Sequence, residues 1–123
     1  MNKQQLKDRT KRFHISIIKL CEMLPRNMAA FQIAKQLIRS AGSVGANYRA
    51  ACHAKSPADF VYKIKVILEE ADESMYWLEI LKDANLVPGN TIEDILKESK
   101  ELVLIFSSTC KTARDNLLKQ NLK

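Results

Sequence analysis

Glycine and proline are scarce in this chain of 123 residues, with three of each. Tight β-turns depend on these two residue types, so the sequence has little room for a β-sheet protein. Hydrophobic residues make up 46% of the chain and charged residues 28%, proportions typical of soluble globular proteins. The composition favours an all-α protein, and the length suits a single domain, residues 1–123, with a substantial core.

The sequence also lacks an apolar run of about 18 residues, the length that a membrane-spanning helix needs. Its first residues are polar and charged, unlike a signal peptide. We therefore expect a cytoplasmic protein without a membrane partner. The three cysteines, Cys21, Cys52 and Cys110, form no C-x-x-C pair, which argues against zinc binding and thiol exchange. They are predicted to be buried free thiols in a reducing compartment.

Acidic residues are absent between Glu22 and Asp59. Residues 1–58 hold eleven lysines and arginines but two acidic residues, whereas residues 57–86 hold seven acidic and three basic residues. Charge is therefore segregated along the chain. The basic half is a candidate phosphate-binding surface, and the alternative is an ordinary solvated face.

Apolar periodicity predicts four helices separated by turn signals. Ser56 is expected to cap the third helix with Pro57 in its first turn, and Thr91 to cap the fourth. Four helices joined by short turns predict an up-down-up-down antiparallel four-helix bundle. The predicted bounds are Lys3–Leu24, a second helix ending near Ala54, a third ending near Ala84, and a fourth that starts at Thr91 and ends among the last lysines.

The second helix contains two internal glycines, Gly42 and Gly45. An interior glycine costs a helix about 1 kcal/mol relative to alanine, so the pair predicts that another backbone comes close. Inward residues should follow steps of three and four. The predicted seam contains Phe31, Ala34, Ile38, Ala41, Gly45, Tyr48 and Cys52.

Polar residues occupy two further faces of the second helix, one basic and one carrying small polar side chains. The small polar side chains are expected to hydrogen-bond two carboxylates of the third helix, unless those carboxylates face water. Tyr48 is expected in the core, with base stacking as the alternative. The candidate nucleic-acid-binding residues are Arg9, Arg12, Lys35, Arg39, Arg49, His53 and Lys55. The candidate polar network comprises Ser40, Ser43, Asn47, Glu70 and Glu73.

Apolar residues outside the predicted seams widen the inner arcs of the first and fourth helices. They are Ile15, Ile18, Leu104 and Ile105. An arc broader than one bundle needs predicts that copies of the chain associate.

Two motifs of metal and phosphate sites do not fit this sequence. A di-iron site needs Glu-x-x-His, but Lys11 precedes His14 by three residues and Ala50 precedes His53. The G-S-V-G-A-N segment lacks the Gly-Lys-Ser/Thr ending of a phosphate-binding P-loop. Arg9 and His14 match the arginine–histidine spacing of some four-helix ribonucleases, which is a less favoured alternative. We expect a protein that is not an enzyme, with no catalytic residues, metal or cofactor.

Two stretches together carry a family resemblance. Residues 36–60 read Q-L-I-R-S-A-G-S-V-G-A-N-Y-R-A-A-C-H-A-K-S-P-A-D-F, and residues 63–81 read K-I-K-V-I-L-E-E-A-D-E-S-M-Y-W-L-E-I-L. The combination resembles the bacterial four-helix-bundle proteins encoded in intervening sequences of large-subunit ribosomal RNA genes. That family is similar to the accessory variability proteins of diversity-generating retroelements, which bind nucleic acid and a reverse transcriptase. The resemblance implies a ring-like homopentamer that binds nucleic acid, RNA rather than DNA, without catalysis.

The chain departs from its relatives after Asn47. Many relatives have an aliphatic residue followed by Ala-Glu-Gly, whereas this chain has Tyr48, Arg49, Ala50 and Ala51. The departure makes the surface more basic. We therefore predict salt-sensitive RNA binding with little sequence specificity. The alternative is a protein–protein adaptor or scaffold, whose acidic third helix and apolar flanks hold a protein partner.

Overall fold

Four helices make up the computed structural model, which describes residues 1–122. They are α1 (Lys3–Glu22), α2 (Met28–Ala51), α3 (Pro57–Asp83) and α4 (Gly89–Asn121). Each helix packs against the next in the chain, and α1 also packs against α4. The backbones of diagonally opposed helices do not approach each other. The all-α four-helix bundle is confirmed, and no helix in the described residues is long and apolar enough to span a membrane.

The helix boundaries follow local capping chemistry. Ser56 accepts a hydrogen bond from the backbone N–H of Asp59 at 3.0 Å, which confirms the predicted start of α3. The prediction for α4 is wrong: the helix begins at Gly89, and the N–H of Thr91 donates to the Pro88 carbonyl. Pro88 has no N–H that could be left unpaired, so it suits the position just before the first helical residue. Thr91 is therefore the third residue of the helix and not its cap.

Other predicted boundaries differ by a few residues. Helix α1 ends at Glu22, two residues before the predicted end. Helix α2 ends at Ala51, three residues early, whereas α3 ends within one residue of the prediction. Asn85 follows α3 with a φ of 58°, and the next N–H, that of Leu86, donates to the Leu81 carbonyl. This left-handed residue is a typical helix stop.

The core lies along inward positions of all four helices. Tyr48 of α2 contacts Phe106 of α4 edge to face, with ring centroids 5.7 Å apart, so its predicted core position is confirmed. Among the cysteines Cys110 is buried, whereas Cys21 and Cys52 are half-buried, and all three are free. Side chains with no exposed surface include Ile17, Leu37, Ile64, Ile67, Leu78, Leu81, Ile92 and Phe106.

The predicted seam of α2 is rotated relative to the observed one. Phe31 is 66% exposed, and Ile38 is half-buried, whereas Leu37 and Val44 are fully buried. Helix α2 packs most closely on α3, which turns its buried arc toward the Ser40 side. The periodicity of the sequence identified an apolar stripe on α2, but not which neighbouring helix the stripe faces.

The glycines of α2 face α1. A Cβ at Gly45 would lie 3.6 Å from the backbone carbon of Thr10, so the α1 backbone is near but leaves room for a methyl group, and the predicted need for glycine is not met there. At Gly42 the neighbour is instead the imidazole of His14, two of whose atoms would lie 3.0 Å from a Cβ. Thr10 turns its hydroxyl to carbonyls of its own helix and is fully buried. Because Gly42 and Gly45 have no side chains, α1 packs closely against this part of the helix.

Two substitutions at Gly45 test this packing. Gly45→Ala should raise the free energy of unfolding by up to about 1 kcal/mol, because its methyl group fits and alanine favours the helix. Gly45→Leu should lower it by about 1–3 kcal/mol, because the larger side chain meets Thr10. Urea denaturation measures both variants. An unchanged midpoint for the leucine variant would show that α1 does not press on this position.

Candidate nucleic-acid interface

Arg9 lies on the flank of α1 that faces α4. Its Nε donates to Glu98 at 2.8 Å, and its Nη2 donates to Glu98 and to Glu101, each at 2.6 Å. The hydrogen bond to Glu98 raises the pKa of Arg9, although burial opposes this effect. Helix α1 packs less closely on α4 than on α2, so this ion-paired cluster ties the two helices together. Arg9 is therefore engaged by carboxylates rather than free for a phosphate.

Arg39 is similarly engaged, between α2 and α3. Its Nη1 donates to Glu70 at 2.9 Å, and its Nη2 donates to Glu73. Glu73 also accepts from the indole N–H of Trp77 at 3.3 Å. Burial opposes the charged form, but the two carboxylates outweigh it and raise the pKa of Arg39. The acidic middle of α3 thus neutralises one cation of the predicted basic face.

The predicted polar network between α2 and α3 has different partners from those expected. Ser40 is fully buried and accepts a hydrogen bond from Ser74 of α3 at 2.9 Å. Asn47 donates to the Ser43 carbonyl within α2. The two carboxylates instead accept from the guanidinium and indole groups described above. Long side chains reach them at the edge of the interface, where short serine and asparagine side chains do not.

The remaining predicted cations make no ion pair within residues 1–122. Arg12, Lys35, Arg49 and His53 are exposed. Lys55 is exposed too, and only its backbone N–H is used, donating to Asp59 at 3.0 Å. Carboxylates therefore pair with two of the seven predicted residues, of which Arg39 stays exposed, whereas the other five are exposed and form no ion pair within the described residues.

A groove of about 730 Å³ follows the junction of α1 and α2. Lys7 and Lys11 line it from α1, and Arg49 lines it from α2. None of these three cations forms an ion pair within the described residues. The lining includes one carboxylate, Asp8, which accepts a hydrogen bond from Gln4 at 3.0 Å. Charge in this groove is therefore mainly positive and uncompensated.

The floor of the groove is made of small residues, Gly42, Gly45 and Ala46. His14 borders it, with a buried Nε2 that has no hydrogen-bond partner among the described residues. Arg9 faces α4 while His14 faces α2, so the structure does not bring the proposed ribonuclease pair together. Within residues 1–122 no three His, Cys, Asp or Glu side chains are placed to hold a metal ion.

Sequence reasoning missed Lys7 and Lys11. It selected Arg9 and Arg12 from a helix that is basic on several sides. Lys3, Lys7 and Lys11 recur every four residues, and that spacing places them along one flank of a helix. The repeat was the signal that would have found them.

Residues 2–108 match the family described as 23S rRNA-intervening sequence protein. The chain belongs to this family. A solved structure from Bacteroides thetaiotaomicron VPI-5482, described as a protein with unknown function from the S23 ribosomal protein family, is 35% identical and superimposes with a TM-score of 0.81. That alignment covers 90% of this chain and 99% of the other. Curated proteins give no significant match.

Membership of the intervening-sequence family confirms the resemblance predicted from residues 36–60 and 63–81. Both stretches lie within the matched range. The groove residues Lys7, Lys11 and Arg49 lie within it as well. Helix α4, by contrast, continues to Asn121, beyond the end of the family match at residue 108.

The engagement of Arg9 leads to a stability prediction. Arg9→Ala should lower the free energy of unfolding by about 1–3 kcal/mol, because charge-assisted hydrogen bonds are removed and two carboxylates remain side by side. Arg12→Ala is the matched control, since Arg12 is exposed and unpaired within the described residues, and it should change stability by less than about 0.5 kcal/mol. Urea denaturation followed by circular dichroism compares them. Equal stability of the two variants would contradict the role given to Arg9.

Proposed function

We propose that this chain is a non-enzymatic RNA-binding protein that holds phosphates along the α1–α2 groove. The observation that carries the proposal is the pattern of charge pairing. Arg9 and Arg39 are bound by carboxylates, whereas the three cations of the groove are not. Unpaired cations gathered in a concave surface attract phosphates and displace their counterions.

The family supports RNA as the ligand, because its description refers to the 23S rRNA. Lysine and arginine contacts to phosphates are the same for every base, so such a groove binds with little sequence specificity. The separation of Arg9 from His14 supports binding without strand cleavage, since the pair does not face a common substrate position.

Self-association is the second part of the proposal. Large apolar side chains remain exposed on separate helices, including Phe31 at 66% and Leu104 at 69%. Exposed apolar surface of this kind is commonly buried between subunits. With a net charge of +6 per chain, a pentamer, as the family resemblance implies, carries about +30 and strengthens its attraction for RNA.

The outer face of α3 favours the alternative, a protein adaptor. Tyr62 and Tyr76 are 67% and 53% exposed, and the neighbouring Glu69 and Asp72 form no ion pair within the described residues. Exposed tyrosines are common in protein interfaces. In this alternative the basic groove serves solubility alone, and RNA binding is absent.

A charge-reversal experiment separates the two functions. Lys7→Glu combined with Arg49→Glu should weaken binding to RNAs of unrelated sequence to a similar extent. The slope of the logarithm of the binding constant against the logarithm of the salt concentration should become shallower by about one unit for each phosphate that the variant no longer neutralises. Fluorescence anisotropy at several salt concentrations gives both quantities.

The matched control for this experiment combines Lys65→Glu with Lys97→Glu. Both residues are exposed and unpaired within residues 1–122, one on α3 and one on α4, so the variant changes net charge equally but leaves the groove intact. We expect its RNA binding to exceed that of the groove variant. Equal weakening would show that overall charge, not the groove, controls binding. A parent protein that binds no RNA would favour the adaptor.

Sedimentation equilibrium tests the assembly. A chain of 14.0 kDa should sediment as a multiple of that mass, and a pentamer as roughly 70 kDa. Leu104→Gln should shift the mass toward the monomer if the exposed apolar side chain lies between subunits. A monomer at micromolar concentration would contradict self-association.

A further inference from the structure

A cleft of about 440 Å³ lies at the end of the bundle where the start of α1, the α2–α3 turn and the last turns of α4 meet. It is separate in its lining from the groove between α1 and α2. Its polar and aromatic lining consists of Lys3, Lys55, Ser56, Phe60, Asn116 and Gln120.

The chemistry of the cleft suits a nucleotide base. No carboxylate of the described residues lines it, and Lys3 and Lys55 form no ion pair among them. The side-chain amides of Asn116 and Gln120 each offer donors and an acceptor. Neither amide makes a side-chain hydrogen bond within residues 1–122. Free amides beside two free lysines are able to pair with a base edge and its phosphate.

Phe60 is the aromatic residue among those that line the cleft. Phe60 is half-buried and packs at the edge of the core. It also borders a second depression, of about 270 Å³, lined by Ser108, Thr109 and Thr112 of α4. A phenylalanine placed between two polar depressions offers a surface on which a base stacks.

The cleft lies one helical turn from the groove along both α1 and α2. Lys3 is one helical turn from Lys7 on α1, and Cys52 is one turn from Arg49 at the end of α2. Lys7 and Arg49 line the groove, while Lys3 and Cys52 line the cleft. From Lys11 to Lys3 this series of cations extends about 12 Å along α1. A strand whose phosphates follow the groove therefore reaches the cleft.

We propose that the cleft receives an unpaired base of the RNA strand bound in the groove, with Phe60 stacking on it and Asn116 and Gln120 contacting its edge. This inference rests on the proposed RNA binding and specifies the ligand as single-stranded RNA. Bases within a duplex are already stacked and paired, so they do not enter such a site. Asn116 and Gln120 lie beyond residue 108, where the family match ends, so family membership does not imply the site.

Binding of a fluorescein-labelled oligo(U) strand and of an RNA duplex of the same length tests the proposal. The parent should bind the single strand more tightly than the duplex. Phe60→Leu keeps an apolar contact with the core but removes the stacking ring. It should weaken single-strand binding by roughly 5- to 100-fold and leave duplex binding unchanged. Phe60→Tyr restores an aromatic ring and should retain single-strand binding.

The control outcomes distinguish this inference from the proposed function. Lys7→Glu with Arg49→Glu should weaken both RNA forms, because both use the groove. Equal binding of single strand and duplex, unaffected by Phe60→Leu, would overturn the cleft proposal and leave the groove in place. Loss of binding to both forms in a folded Phe60→Leu variant would overturn it too. A parent protein that binds neither RNA would refute the proposed function itself.

Discussion

The close approach of α1 to α2 determines where the candidate interface lies. Gly45 places no side chain between the helices, and a Cβ at this position would meet Thr10 at an ordinary contact distance. The same approach brings Lys7 and Lys11 alongside Arg49. An interior glycine costs helix stability, and alanine would fit here too, but a larger side chain would push α1 away from the cations of α2. Structure and charge in the amino-terminal half therefore depend on one contact between helices.

Carboxylates determine which cations remain available. Glu98 and Glu101 bind Arg9, and Glu70 and Glu73 of α3 bind Arg39, so ion pairs bridge two pairs of helices and occupy those guanidinium groups with carboxylates. The lysines of the α1–α2 groove are opposed by a single carboxylate among the described residues. The net charge of the sequence therefore gives the amount of positive charge, but the ion pairs of the folded chain determine which cations stay available to a phosphate.

The parts of the fold that depend on local chemistry were predictable from sequence. Ser56 and Pro57 form a helix start whatever the helix packs against, and the four-helix order follows from periodicity and short turns. The orientation of α2 about its own axis depends on how closely each neighbour packs, so its seam was misplaced. The reach of Arg39 to α3 was missed for a similar reason. Spacing reports which residues share a face, but not which long side chains cross to another helix.

In the proposed function, the groove and the cleft divide two tasks that nucleic-acid recognition requires. Contacts to phosphates position a strand, whereas contacts to bases distinguish unpaired from paired RNA. The groove is built from residues within the family match, but the cleft depends on Asn116 and Gln120 from the later turns of α4. In the proposed function the groove positions a strand by its phosphates, and the cleft, one helical turn further along α1, receives an unpaired base.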